Sequence, residues 1–119
     1  MNDKPSLSIT SLAQLGRVEK EIEVNSELRV KLHTLSVTEQ QRALASIPEI
    51  IANDIARYSF LQEAILIQAT QEVNGQVVTK EQATELYGNL QYNVMADLFG
   101  KYSEMAGEQG KVLEELKKK

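Results

Sequence analysis

The sequence predicts a mainly α protein in which a small N-terminal β-hairpin packs on three or four helices. Three observations carry this. Apolar and charged residues alternate with a period of two only between Arg17 and Thr34, the pattern of half-buried strands. Beyond Thr34 the apolar residues recur at steps of three and four, the pattern of helices buried on one side. Finally, 119 residues with 42% hydrophobic and 25% charged side chains suffice for one ordinary core. That core must be aliphatic, because there is no Trp and only two Phe and four Tyr.

Met1 to Pro5 reads as a tail, and Ser6 to Leu15 as a short helical turn that Gly16 closes in a left-handed conformation. Ile22 and Val24 then alternate with Glu21 and Glu23, and Leu28, Val30 and Leu32 with Arg29, Lys31 and His33. Two such runs about Asn25-Ser26 predict a hairpin that is acidic on one strand and basic on the other, so that cross-strand pairs attract. A lone hairpin is marginal in water, so its apolar face must rest on helices. Ser36-Val37-Thr38-Glu39 is a capping box and predicts a helix from Val37 to about Ser46. Ser46-Ile47-Pro48-Glu49 repeats the device, with Pro48 in the first turn, and predicts a central helix reaching about Gln71. Its stripe is Ile47, Ile51, Ile55, Tyr58, Leu61, Ile65 and Ala69, widened by Ile50, Leu66 and Ile67.

Val73-Asn74-Gly75-Gln76-Val77 marks a turn, since Asn-Gly tolerates positive φ at both central positions. A tiny hairpin and a plain loop satisfy it equally. Thr79-Lys80-Glu81-Gln82 caps a third helix with the stripe Ala83, Leu86, Tyr87, Leu90, Val94 and Leu98. The pattern continues through Phe99, Tyr102, Met105, Val112, Leu113 and Leu116, interrupted by Gly100, Gly107 and Gly110. Each glycine costs a helix interior roughly 1 kcal/mol, so a break or a loose fourth helix is expected near Gly107 to Gly110. Residues 1–119 therefore read as one domain, with a hairpin at 17–34, a helical core at 36–99 and a helical extension at 100–119. Ile51, Ile55, Tyr58, Ile65, Leu86, Leu90 and Val94 are expected to be buried together.

Charge and residue inventory exclude several classes of function. The net charge is −4, whereas nucleic-acid binders owe their affinity to basic surfaces. Between Ala43 and Thr79 the only basic residue is Arg57, against Glu49, Asp54, Glu63 and Glu72. There is no cysteine, hence no disulfide or thiolate site, as suits a reducing compartment. No apolar run approaches the roughly 18 residues of a membrane span. Met1-Asn2-Asp3-Lys4-Pro5 lacks the basic and apolar regions of a secretory signal. A cytoplasmic location is expected.

Nothing in the sequence assembles a catalytic, cofactor or metal site. The lone histidine, His33, is in phase with Arg29 and Lys31 and should face solvent. Glu81 with Glu85, and Glu104 with Glu108, share helical faces, but no Glu-x-x-His pair accompanies them. Gly107-Glu108-Gln109-Gly110-Lys111 lacks the spacing and the following hydroxyl of a phosphate loop. Scarce aromatics argue against a stacking pocket. The chain is read as no enzyme, with no cofactor.

The apolar surplus is more informative. Leu98, Phe99, Tyr102, Met105, Leu113 and Leu116 form a helical stripe. Turned inward it is ordinary core; turned outward it docks another chain, either a second copy or a client. The glycines of this segment favour the outward reading.

Val30-Lys31-Leu32-His33-Thr34-Leu35-Ser36-Val37-Thr38-Glu39 is a strand running straight into a capped helix. With the helical body that follows, from about Glu19 to Phe99, it resembles the tail assembly chaperones of long-tailed bacteriophages. In that family an extended segment ending in Leu and Ser or Thr, with Glu a few residues on, opens the helical part; Leu35, Ser36 and Glu39 occupy such positions. The resemblance implies a non-enzymatic protein of the host cytoplasm that binds the tape-measure protein during tail morphogenesis and is absent from the finished virion. A structural subunit of a tail, baseplate or connector shares this size and composition, as does a small helical regulator or adaptor. Leu116-Lys117-Lys118-Lys119 suits the negative end of a helix dipole. Many members of the family are made in two lengths by a programmed frameshift. Lysine codons form A-rich, slippery runs, so within the resemblance this chain is expected to be the short product.

Overall fold

A computed structural model of the chain describes residues 15–49 and 53–117, with side-chain surroundings as far as Gly107. Gly16 is left-handed, with φ of 79°; the turn expected before it lies outside the described residues. Strands β1 (Glu19–Asn25) and β2 (Leu28–His33) form the expected antiparallel hairpin. Ile22 opposes Val30, Glu21 opposes Lys31 and Glu23 opposes Arg29. Asn25 Oδ1 accepts from the Glu27 and Leu28 amides at 2.8 and 2.9 Å and closes the turn.

The hairpin is not alone. Strands β3 (Thr70–Val73) and β4 (Gln76–Val77) complete a four-stranded antiparallel sheet in the order β1-β2-β3-β4. This corrects the mainly α expectation, because half of the sheet comes from the middle of the chain. Val73 pairs with Gln76 across a two-residue loop in which Asn74 and Gly75 have φ of 52° and 81°, the twist that suits paired strands. Glu72 opposes Lys31, and Val73 opposes Val30, so the alternation of charged and apolar layers continues across β3. A four-residue strand is too short to show a period of its own, and pairing with β2 is what makes it one.

Helix α1 (Val37–Ala45) starts on the expected capping box. The Glu39 amide donates to Ser36 Oγ at 3.2 Å, and the Ser36 amide to Glu39 Oε1 at 2.9 Å. Helix α2 (Asp54–Ala69) starts later than Pro48: Ser46 is spent closing α1, its hydroxyl donating to the Ala43 carbonyl at 2.8 Å, and Asn53 Oδ1 caps α2 by accepting from the Ile55 and Ala56 amides at 2.8 and 3.2 Å. Thr70 turns extended, with ψ of 121°, so α2 ends two residues before Gln71 and runs directly into β3. Its last turn contains no basic residue. Lys80 supplies the charge from elsewhere, donating to the Gln68 and Ile67 carbonyls at 2.9 and 3.4 Å, as the helix dipole favours. Burial holds that ammonium below its ordinary pKa, while Glu39 works in the opposite direction.

Helix α3 (Lys80–Asn89) opens on the Thr79–Gln82 capping box. Leu90 is extended, with ψ of 149°, and Asn89 Nδ2 donates to the Glu85 carbonyl at 2.7 Å. The chain therefore breaks here and not near Gly107, and α4 (Tyr92–Lys117) is continuous. The echo of a phosphate loop lies inside this helix. Burial of one face of α4 outweighs the roughly 1 kcal/mol cost of each glycine, as is usual for helices held by packing.

The core joins Ile22, Val30 and Leu32 of the sheet to Leu66 and Ala69, to Ala83 and Tyr87, and to Met95, Leu98, Tyr102 and Met105 of α4. Of the residues expected to be buried together, Ile65, Leu90 and Val94 are partly buried against this cluster and Leu86 is half-buried. Ile51 lies outside the described residues. Ile55 and Tyr58 are 82% and 54% exposed, which corrects the stripe assigned to α2; Gln62, Ala64, Leu66 and Ala69 are its buried residues. Apolar residues surround so much of α2 that period alone selects no face, and contact with the sheet selects the Leu66–Ala69 side.

Candidate protein-interaction surface

The stripe expected to dock a partner is largely core. Leu98 and Met105 are fully buried and Tyr102 is 8% exposed, so these three hold the monomer together and present no surface. Phe99 is half-buried, edge-on to Tyr58 and tilted against Tyr102, with ring centroids 6.1 Å away in each case. The side chains of Leu113 and Leu116 lie outside the described residues. Gly100 and Gly107 are exposed, and a Cβ at either meets nothing within 4 Å. They sit on the outer side of a well-packed helix and do not loosen it.

His33 is also corrected. It is 6% exposed, with Nδ1 2.9 Å from the Thr34 carbonyl and Nε2 3.8 Å from Glu39 Oε2. The strand alternation does carry His33 to the charged face, but the first turn of α1 folds over that end of β2. Burial raises the pKa of Tyr102, which also hydrogen-bonds the Leu35 backbone. These contacts form a joint between sheet, α1 and α4.

The exposed aromatic surface lies elsewhere. Phe60 on α2 and Tyr92 at the start of α4 are 44% and 59% exposed. Between them opens a cleft of about 270 Å³ whose lining includes Phe60, Glu63, Tyr87, Leu90, Tyr92 and Met95. It lies at the Leu90 break, where residues of α2, the end of α3 and the first turn of α4 come together in its lining. Gly88, also in the lining, leaves one wall without a side chain.

Tyr87 forms the rigid floor. Thr70 Oγ donates to the Leu66 carbonyl at 2.7 Å and lies 2.7 Å from the Tyr87 hydroxyl. Thr70 has one proton and uses it on Leu66, so Tyr87 is the donor in the second bond. Burial pushes the Tyr87 hydroxyl up to about 12, and it stays protonated at neutral pH. Glu63 is the one charged side chain in the lining. A concave surface whose lining is polar and apolar in nearly equal measure, with the exposed rings of Phe60 and Tyr92 beside it, suits capture of an amphipathic segment. Among the described residues no three His, Asp or Glu side chains gather as a metal site, and no helix is long and apolar enough to cross a membrane.

Sequence reasoning missed Phe60 and Tyr92. The available signal was their position: two of the chain's few aromatic residues fall off the apolar stripes of their helices. Comparison with known proteins finds no match: no family model, no curated protein and no solved structure resembles the chain.

Proposed function

We propose that this chain is a non-enzymatic protein-binding domain, a bacteriophage tail assembly chaperone that holds the tape-measure protein in the host cytoplasm during tail morphogenesis. The observation that carries the binding role is the cleft between α2 and α4, where Phe60 and Tyr92 stand exposed around a hydrogen-bonded Tyr87 floor. Support for the chaperone role comes from the layout of a strand entering a capped helix through Leu35, Ser36 and Glu39, and from the acidic charge of −4. A client held only until assembly needs a groove of this modest size and no chemistry.

The test is co-expression with the tape-measure protein of the same genome, followed by co-purification. The wild-type chain should carry the client, and Phe60→Ser combined with Tyr92→Ser should release it without moving the urea midpoint. The chain should be missing from purified virions by mass spectrometry. Recovery from virions at a fixed copy number would instead make it a structural subunit of the tail.

A further inference from the structure

We propose that His33 is a proton-operated latch between β2 and the first turn of α1: its ring binds the Glu39 carboxylate when Nε2 carries a proton and lets go when it does not. The latch lies apart from the cleft and stands whatever the client is. Its tautomer follows from the other ring nitrogen. Nδ1 lies 2.9 Å from the Thr34 carbonyl oxygen, and a carbonyl only accepts, so Nδ1 keeps its hydrogen. In the neutral ring Nε2 is then an acceptor, and 3.8 Å away stands another acceptor, Glu39 Oε2. A second proton, which imidazoles exchange between about pH 5 and 8, makes Nε2 a donor and the pair an attraction. Charge-assisted bonds of this kind measure about 2.7–2.9 Å, so forming one draws the carboxylate in by about 1 Å. The ring is 6% exposed, and little water competes for the proton.

The other groups around the ring leave Glu39 as its partner. Across the hairpin His33 opposes Glu19, whose carboxylate is held by Arg17 at 3.2 Å and Lys31 at 3.5 Å. Tyr102 on α4 hydrogen-bonds the Leu35 backbone, and burial raises its pKa, so it stays neutral. Lys80 on α3 is attracted by Glu39 and repelled by Arg42 of α1, but its ammonium is spent on the Gln68 and Ile67 carbonyls. Glu39 itself holds two elements. Oε1 accepts from the Ser36 amide at 2.9 Å as half of the box that caps α1, and Oε2 faces the ring. A pull on Oε2 therefore reaches the start of the helix.

Nuclear magnetic resonance of the untagged full chain between pH 8 and pH 5.5 tests this, and the chain's one histidine makes the ring signals unambiguous. At pH 8 the ring hydrogen should sit on Nδ1. On acidification the Ser36 amide should shift along the same curve as the ring. The Gln40 amide, which closes the first turn on the Ser36 carbonyl at 2.9 Å, should gain protection from exchange by roughly threefold or more once intrinsic rates are divided out. Glu39→Gln separates the latch from the field of a charged ring. Gln keeps the cap, as Gln82 does in the Thr79 box, but its amide nitrogen and a charged ring are both donors, so the gain at Gln40 should be lost. A hydrogen on Nε2 at pH 8, a Ser36 amide that stays fixed while the ring titrates, or a Glu39→Gln chain that keeps the wild-type gain would each overturn the proposal.

Discussion

Asn74 joins the two hairpins, and substituting it separates two contributions to sheet stability. Its backbone has φ of 52°, a conformation that costs most L-residues about 1–2 kcal/mol but Gly almost nothing. Its side chain reaches the other hairpin: Oδ1 accepts from the Arg29 amide at 2.8 Å and Nδ2 donates to the Glu27 carbonyl at 3.0 Å. Both bonds are exposed, so water replaces them in part and each contributes about 0.5–1 kcal/mol. Asn74→Gly removes the bonds, keeps the permissive backbone and adds freedom to the unfolded chain, a net loss of about 1–1.5 kcal/mol. Asn74→Ala loses the same bonds and also strains the turn, for about 2–3 kcal/mol. Urea unfolding followed by far-UV circular dichroism measures both. The reasoning is refuted if the two variants unfold at the same midpoint, or if Asn74→Gly matches wild type.

The remaining expectations concern core, helix and pH. Leu98→Ala should destabilise by about 2–5 kcal/mol, as for a fully packed site, whereas Ile55→Ala, at a position 82% exposed, should stay within about 0.5 kcal/mol of wild type; urea midpoints of both test the corrected core. Gly100→Ala and Gly107→Ala place a methyl group in open space on a continuous helix, and each should raise stability by about 0.5–1 kcal/mol in the same assay. Tyr87 has a folded pKa of about 12, above its unfolded value of about 10. The stability it contributes is complete below about pH 10 and is lost as pH climbs towards about 12, on the order of 2–3 kcal/mol. Tyr87→Phe should therefore flatten the decline of the urea midpoint across that alkaline range.

Local chemistry was legible in the sequence, because the interactions involved span only a few residues. The capping boxes at Ser36 and Thr79 and the Asn74-Gly75 turn all stand where their spacing puts them. The β1–β2 hairpin was equally readable, since the alternation of apolar and charged residues puts Ile22 opposite Val30 and the acidic residues Glu21 and Glu23 opposite Lys31 and Arg29. Competition between neighbouring signals was harder to read. The cap expected at Ser46 does not start α2; Asn53, which the sequence reading did not single out, does. The glycines near the end of α4 looked like a break, and the one that forms is at Leu90.

Tertiary structure alone decided which faces are buried. An apolar stripe says that some side of a helix is covered, and when the stripe is wide it does not say which. On α2 the sheet took Leu66 and Ala69 and left Ile55 and Tyr58 outside. On α4 it took Leu98, Tyr102 and Met105, the residues whose spacing had suggested a docking stripe. The candidate surface is what those choices left over: Phe60 and Tyr92 flank a cleft because packing used other apolar residues first. Burial depends on contacts among segments distant in the chain, such as β2 with β3 and α2 with α4, and those contacts form no pattern along a single helix or strand.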